Sequence, residues 1–222
     1  MRTVCSKASC FEAGWMSRLA VDLFVEDIAH EMFLRALATR LAREERVTPE
    51  FRVRTSIGGH GRVLQELELY QRNLERGSGG LQLPDAALVA TDANCQGHVA
   101  AKRSVSTALR PALMDRTVVV CPDPHIERWY MADPDSFGEI VGSRPRLGRR
   151  KCQRDVYKTI LADAVRRAGH PAMLDGIDFA ADLVEGMDLH RAGRNQSSLK
   201  HAIGDIRSCF RLLRQLGGTS PD

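Results

Sequence analysis

Two short apolar runs in this chain each end on a carboxylate. Residues 21–26 read Val-Asp-Leu-Phe-Val-Glu, residues 86–92 read Ala-Ala-Leu-Val-Ala-Thr-Asp, and sequence with helical periodicity follows both runs. This pattern is typical of buried parallel strands, because a strand covered by helices on both faces is apolar along most of its length. Glu26 and Asp92 are then expected at the carboxyl edge of the sheet, where open α/β sheets bind their ligands.

Strand and helix signals alternate through the first part of the chain. Besides the two acidic runs, the pattern predicts strands over about 51–57 and 117–121 and helices over about 27–45, 62–76 and 97–109. The alternation predicts an α/β fold with a doubly wound, mainly parallel sheet of about four strands. Beyond Asp133 only helical periodicity remains, over about 134–141, 155–168, 179–189 and 197–216.

We therefore expect three segments. Residues 1–17 form an N-terminal extension, residues 18–142 form the α/β domain, and residues 143–222 form a helical C-terminal region that packs on this domain or continues it. A chain of 222 residues is long enough for one such domain with a helical appendage.

Composition and cysteine usage favour a cytoplasmic protein. The hydrophobic fraction is 43%, no apolar stretch reaches the length of a membrane span, and the N-terminal segment lacks the apolar core of a signal peptide. The six cysteines are scattered, and none has the C-x2-C spacing of a zinc site. We expect reduced thiols, with Cys95 and Cys121 acting as small buried hydrophobic residues beside strand ends.

The positive charge is concentrated in one segment. The formal net charge is +4, and residues 144–154 contain six basic side chains, Arg144, Arg146, Arg149, Arg150, Lys151 and Arg154. Such a cluster can contact nucleic-acid phosphates, and Arg149, Arg150 and Lys151 are the candidates for that role. A solvated arginine-rich loop explains the same charges equally well.

The acidic strand ends resemble the TOPRIM domain, the metal-dependent catalytic fold of topoisomerases, primases and the overcoming-lysogenization-defect (OLD) family of nucleases. Glu26 matches the glutamate after the first strand, and Asp92 matches the first residue of the later Asp-x-Asp pair. Asn94 stands where the family has the second aspartate. Residues 122–133 resemble small TOPRIM-like proteins encoded beside ABC-type ATPases in bacterial defence loci. The resemblance covers about residues 19–133.

The resemblance implies a metal site built on these residues. Mg²⁺ or Mn²⁺ would be held by Asp92 and Asn94, with Glu26 nearby as a further ligand or as a general acid/base. Two adjacent carboxylates repel each other unless a cation lies between them, which favours the same site. The alternative is that Asp92 or Asp27 merely caps the helix that follows its strand.

Further residues could complete this site. Asp123 and Glu127 are spaced to share one ion if Asp123 begins a helix, although Asp123 could equally be a helix cap before Pro124. His30 occupies the position where the OLD pattern has an acidic residue, and Glu31 is next to it. Lys158 is a possible accessory residue on a C-terminal helix.

The resemblance implies a metal-dependent nuclease subunit that cuts DNA or RNA. It would serve in antiviral or plasmid defence with an ABC-type ATPase as its partner, and it leaves a homo-oligomer open. The glycine-rich stretch over 58–61 lacks the Walker A spacing, so it predicts a tight turn better than a phosphate site. The alternative function is a non-catalytic TOPRIM-like sensor or assembly subunit whose metal site has decayed at Asn94.

Overall fold

A computed structural model describes residues 17–55, 59–149, 152–153 and 155–217 of the chain. Of the N-terminal extension expected over residues 1–17, only Ser17 falls within these residues, and it begins the first strand.

Four parallel strands form one sheet. They are β1 (Ser17–Val25), β2 (Val47–Thr55), β3 (Ala86–Ala90) and β4 (Thr117–Val120), in the order β2-β1-β3-β4. The chain places β2 on one side of β1 and then returns to place β3 on the other side. The strand order therefore reverses between β1 and β3, and ligands of open α/β sheets bind outside the carboxyl ends of the strands at such a switch point.

Helices cover both faces of this sheet. Within the described residues they are α1 (Ile28–Glu44), α2 (His60–Glu75), α3 (His98–Ser106), α4 (Pro111–Met114), α5 (Glu127–Tyr130), α6 (Pro134–Val141), α7 (Val156–Arg167), α8 (Ala180–Gly186), α9 (Leu189–Asn195) and α10 (Ser197–Gly217). The predicted α/β class, the parallel sheet of four strands and the helical C-terminal region are confirmed.

Alternate residues of each strand contribute to two separate cores. On β1, Leu23 and Val25 pack with α1 and the C-terminal helices, whereas Phe24 packs with α2, α3 and α4. On β3, Leu88 packs in the same core as Leu23, and Val89 packs in the same core as Phe24. Because successive side chains of a strand point to opposite faces, a run that is apolar at every position can fill both cores.

The C-terminal helices share the core of the first face. Tyr157 of α7 and Phe210 of α10 belong to the same buried cluster as the residues of β1 and α1. Two buried aromatic side chains of α5 connect these layers: Trp129 donates to Ser198 Oγ at 3.0 Å, and Tyr130 donates to the carbonyl of Ala29 at 2.8 Å. The polar atoms of both rings are thus satisfied although the rings are fully buried.

Several element boundaries differ from the predicted ones. Strand β2 begins at Val47 and includes Pro49, whereas the pattern placed its start near residue 51. Proline is tolerated there because, among the described strands, β2 lies at the edge of the sheet and pairs with β1 alone. The helix predicted over 179–189 ends at Gly186, and a separate helix α9 begins after Asp188, whose side chain caps the new helix by accepting from two backbone N–H groups.

No helix in the described part of the chain combines the length and apolarity needed to cross a membrane.

Candidate metal centre

Strand pairing brings Glu26 and Asp92 together at the switch point. Val25 pairs with Ala90, so the residues that follow both strands leave the sheet side by side. The backbone N–H of Asp92 donates to Glu26 Oε2 at 3.1 Å. Gly59, at the start of α2, approaches the other oxygen: a Cβ on Gly59 would lie 3.5 Å from Glu26 Oε1.

A cavity of about 410 Å³ opens in front of these two residues. One wall comes from the sheet edge and α5, and the other comes from the segment that begins α7. The cavity is lined by Glu26, Asp27, Asp92, Asn94, His125, Glu127, Cys152, Asp155, Tyr157 and Lys158. Carboxylates clearly outnumber basic groups in this lining, so the cavity has the electrostatic character of a cation site.

His30 lies behind this cavity and links two of its carboxylates. Its ring is fully buried, Nδ1 is 2.8 Å from Asp27 Oδ1, and Nε2 is 3.1 Å from Asp92 Oδ1. Ionised carboxylates only accept hydrogen bonds, so both ring nitrogens must carry a proton. His30 is therefore an imidazolium in this arrangement.

The pKa values of the three groups agree with that protonation state. Burial acts to lower the pKa of His30, but the charges and hydrogen bonds of Asp92 and Asp27 raise it well above its ordinary value. Burial acts to raise the pKa of Asp27, but its hydrogen bonds with His30 hold that pKa at about 2. The pKa of Asp92 is lowered for the same reason, since His30 and His125 outweigh its burial.

This protonated state decides how His30 can take part in metal binding. Ligand atoms of Glu26, His30 and Asp92 lie within 4.8 Å of one another, which is close enough to surround one ion. A histidine ligand needs a free lone pair, however, and neither nitrogen of His30 has one while both donate to carboxylates. As arranged, His30 is a fixed positive charge beside the site, and the oxygens of Glu26 and Asp92 are the available ligands.

His125 is a site residue that sequence reasoning did not connect with any partner. Its Nδ1 lies 3.0 Å from Asp92 Oδ2, so each oxygen of Asp92 contacts one histidine. The hydrogen bond with Asp92 raises the pKa of His125. The two residues are far apart in sequence and share no motif spacing, so only the resemblance of residues 122–133 to TOPRIM-like strand exits could have suggested the contact.

Glu127 joins the cavity, whereas Asp123 is absent from its lining. The condition under which both would share an ion, a helix beginning at Asp123, is not met, because α5 begins only at Glu127. A cis peptide bond between Asp123 and Pro124 precedes it. Burial raises the pKa of Glu127, and it also raises the pKa of Glu26.

Asn94 lines the cavity from a tight turn. The N–H of Gln96 donates to the carbonyl of Ala93 at 2.9 Å, and the two central residues, Asn94 and Cys95, have φ values of 45° and 64°. Positive φ at both central positions is the pattern of a type I′ turn, in which asparagine is favoured. The Asn94 side chain donates from Nδ2 to the carbonyl of Asp92 at 3.4 Å.

The remaining predicted residues are divided between the cavity and the surface. Lys158 lines the cavity and forms an ion pair with Asp175 at 3.2 Å. Glu31 is outside the lining and pairs with Arg35 on the same helix at 3.3 Å. Arg149 is exposed and is also outside the lining, and Arg150 and Lys151 lie outside the described residues.

The expectation of reduced thiols is wrong for one pair of cysteines. Cys95 and Cys152 form a disulfide with a Cα–Cα separation of 5.8 Å, and Cys95 is half-buried rather than a buried hydrophobic residue. Their 57-residue separation gave no sequence signal of pairing. Cys121 is buried with a free thiol, as expected for a small hydrophobic residue.

The donor set fits a hard divalent cation. The carboxylates of Glu26, Asp92 and Glu127 and the amide of Asn94 line one cavity, and Mg²⁺ and Mn²⁺ prefer oxygen ligands of these kinds. No family model matches the chain, and no curated protein or solved structure matches it. The function therefore has to be argued from this site.

Proposed function

We propose that this chain is a metal-dependent nuclease subunit of the TOPRIM-like type, which cleaves DNA or RNA phosphodiesters. The observation that carries the proposal is the meeting of Glu26, Asp92, Asn94 and Glu127 in one cavity at the switch point of a parallel sheet. These oxygen donors come from three separate segments of the chain. Their convergence is expected of a ligand site. Helix capping does not explain it, because Asp27 caps α1 but the helix that follows Asp92, α3, begins after Gly97.

The residues of the cavity divide into three roles. Asp92 and Asn94, with Glu127 nearby, would hold Mg²⁺ or Mn²⁺, which when bound stabilises negative charge that develops on a phosphodiester. Lys158 belongs to the opposite wall, where its ammonium group can attract a phosphate toward the carboxylates. Glu26 would be a further ligand of this ion or the general acid/base, and burial raises its pKa above the ordinary value.

We further propose that the protein works in the cytoplasm beside an ABC-type ATPase, in defence against viruses or plasmids. This part of the proposal rests on the resemblance of residues 19–133 to TOPRIM-like defence proteins. The exposed Arg149, together with Arg150 and Lys151, would contact the phosphates of the nucleic acid.

One observation favours the alternative, a non-catalytic TOPRIM-like sensor or assembly subunit. The imidazolium of His30 already supplies a positive charge to Asp27 and Asp92, at the position where the related nucleases have an acid. This positive charge can stabilise the two carboxylates without a metal ion, and it repels a metal ion that approaches them. The two functions therefore differ in whether a divalent ion binds at all.

Metal binding and cleavage by the same variants test the proposal. Calorimetry with Mn²⁺ should show one binding event that Asp92→Asn weakens, and labelled DNA or RNA should be cut by the wild type together with its ATPase partner. Glu26→Gln should abolish cleavage while the fold is retained. Glu50→Gln is the matched control, because Glu50 is exposed on β2 and forms a surface ion pair with Arg18. If the wild type does not bind Mn²⁺, the nuclease proposal is wrong and the non-catalytic subunit is the better account.

A further inference from the structure

The two walls of the cavity are joined by a covalent bond. Cys95 belongs to the turn that follows Asp92 and Asn94, and Cys152 belongs to the segment that leads into α7. Cys152 itself lines the cavity, together with Asp155 and Lys158 from its own segment. The disulfide therefore connects the metal-binding wall to the wall that carries the basic side chain.

The bridge also holds a residue in a backbone conformation that its side chain disfavours. Cys95 has a φ of 64° at the second central position of the turn, where glycine is the preferred residue. A side chain with a Cβ lowers the population of this left-handed conformation by roughly five- to thirtyfold. Asn94 tolerates the same region, so Cys95 is the residue that most needs an external restraint.

The disulfide is open to attack. Cys152 is exposed and lines the cavity, whereas Cys95 is half-buried. Among the described residues, the free thiols of Cys121 and Cys209 are poor competitors in exchange, because burial raises the pKa of each to about 11. In a cytoplasmic protein, an exposed disulfide is typically a redox-sensing or catalytic one.

We propose that the Cys95–Cys152 disulfide is a thiol-exchange site that sets the conformation of the turn over 93–96. A thiolate of a cellular dithiol attacks Sγ of Cys152, the bridge breaks, and Cys95 leaves as a thiolate that takes a proton from water. The second thiol of the reductant then attacks the mixed disulfide and releases Cys152, so the reductant becomes a disulfide and two electrons pass to the bridge. Exchange with an oxidised disulfide reverses these steps.

Reduction frees Cys95 from the left-handed region and lets the turn rearrange. Asn94, the neighbouring central residue, then spends less time at the position from which it faces the cavity. The apparent dissociation constant for Mn²⁺ should rise by about fivefold or more, because only a fraction of the molecules keeps the competent turn. This consequence for the metal rests on the proposed function, whereas the change in the turn does not.

Hydrogen exchange measures the turn without reference to a metal. Wild-type protein is prepared oxidised and then reduced with dithiothreitol, and amide exchange is followed by mass spectrometry in peptides that cover 91–97. Reduction should accelerate exchange there, because the hydrogen bond between Gln96 N–H and the Ala93 carbonyl is no longer held. Differential alkylation in buffers of reduced and oxidised dithiothreitol should modify Cys95 and Cys152 together. Equal exchange in the two states would overturn the proposal, and so would a bridge that dithiothreitol cannot reduce.

Three variants separate the bridge from its effect on the turn. Cys152→Ser should have the same amide exchange and the same Mn²⁺ affinity as reduced wild type, and dithiothreitol should change neither. Cys95→Gly also lacks the bridge but accepts positive φ, so it should bind Mn²⁺ more tightly than Cys95→Ser. Cys209→Ser is the control and should respond to reduction like the wild type. Equal affinity of Cys95→Gly and Cys95→Ser would refute the turn as the link between the bridge and the metal.

If no state of the protein binds Mn²⁺ but exchange in 91–97 still depends on reduction, the proposed function fails while the thiol-exchange site stands. If Mn²⁺ binds equally in both redox states and exchange is unchanged, the metal site stands and the thiol-exchange site fails.

Discussion

Replacing His30 by glutamine tests how the site balances its charges. Glutamine retains a polar side chain but removes the positive charge that lies between Asp27 and Asp92. His30 is fully buried and the Asp92 side chain is 13% exposed, so solvent screens this pair weakly. Removing one partner of a buried ion pair typically costs about 3–5 kcal/mol, and we expect a loss in that range in the free energy of unfolding. The half-exposed Asp27 adds less to this loss.

The pH dependence of this loss has a definite sign. The folded pKa of His30 is raised, so its contribution to stability is complete below the unfolded pKa of about 6.5 and disappears as the pH rises through the folded value. The folded pKa of Asp27 is lowered to about 2, so its contribution is complete above the ordinary value of about 3.9 and disappears as the pH falls through 2. The wild type and His30→Gln should therefore differ most between about pH 4 and 6.5.

Urea unfolding measured across pH 3–10 provides the assay, with His190→Gln as the matched control because His190 is exposed on α9. The control should change stability by less than about 0.5 kcal/mol. His30→Gln should also bind Mn²⁺ more tightly than the wild type, since the nearby positive charge is gone. A stability loss as small as that of the control, or a loss that does not shrink in alkaline solution, would refute the buried imidazolium.

Three further perturbations have definite outcomes. Neutralising Arg149, Arg150 and Lys151 together should weaken nucleic-acid binding and make it less dependent on salt. The slope of the logarithm of the binding constant against the logarithm of the salt concentration should change by about 0.7–0.9 per lost phosphate contact. An unchanged slope in filter-binding measurements would show that these residues do not contact the nucleic acid. Gly59→Ala should lower the melting temperature, because Gly59 has φ +84° and ψ −176°, a backbone region that costs a residue with a Cβ about 1–3 kcal/mol. Asn94→Asp should tighten Mn²⁺ binding in calorimetry, since a carboxylate replaces a neutral oxygen donor.

Much of the fold could be predicted because the strands carry their own signal. The runs over 21–25 and 86–90 are apolar at nearly every position, and only a strand buried on both faces requires that pattern. The exception within them, Asp22, is fully buried and satisfied by hydrogen bonds from Arg52 and Tyr70. Those partners lie on other elements, so nothing in the local sequence reveals that this carboxylate is structural.

The site was predicted in part, for a similar reason. Strand ends place Glu26 and Asp92 at one edge as soon as the sheet is parallel and the strands are neighbours. The contacts of His30 and His125 with Asp92 depend on side chains that meet across segments far apart in sequence. The disulfide is likewise a long-range contact. Sequence periodicity describes local structure, so it identified the edge but not the charges that surround it.

The same distinction applies to Asn94, the departure from the Asp-x-Asp pattern. By ligand chemistry alone, asparagine weakens the proposed metal site, because it has no negative charge to offer there. Its φ of 45° gives it a second role, since asparagine is favoured at positive φ in a tight turn and Cys95 beside it is not. Aspartate also tolerates this region. The turn therefore explains why a small polar side chain stands at position 94, but it does not require an amide rather than a carboxylate. The absent charge at Asn94 and the positive charge of His30 act in the same direction, because both make the site less negative.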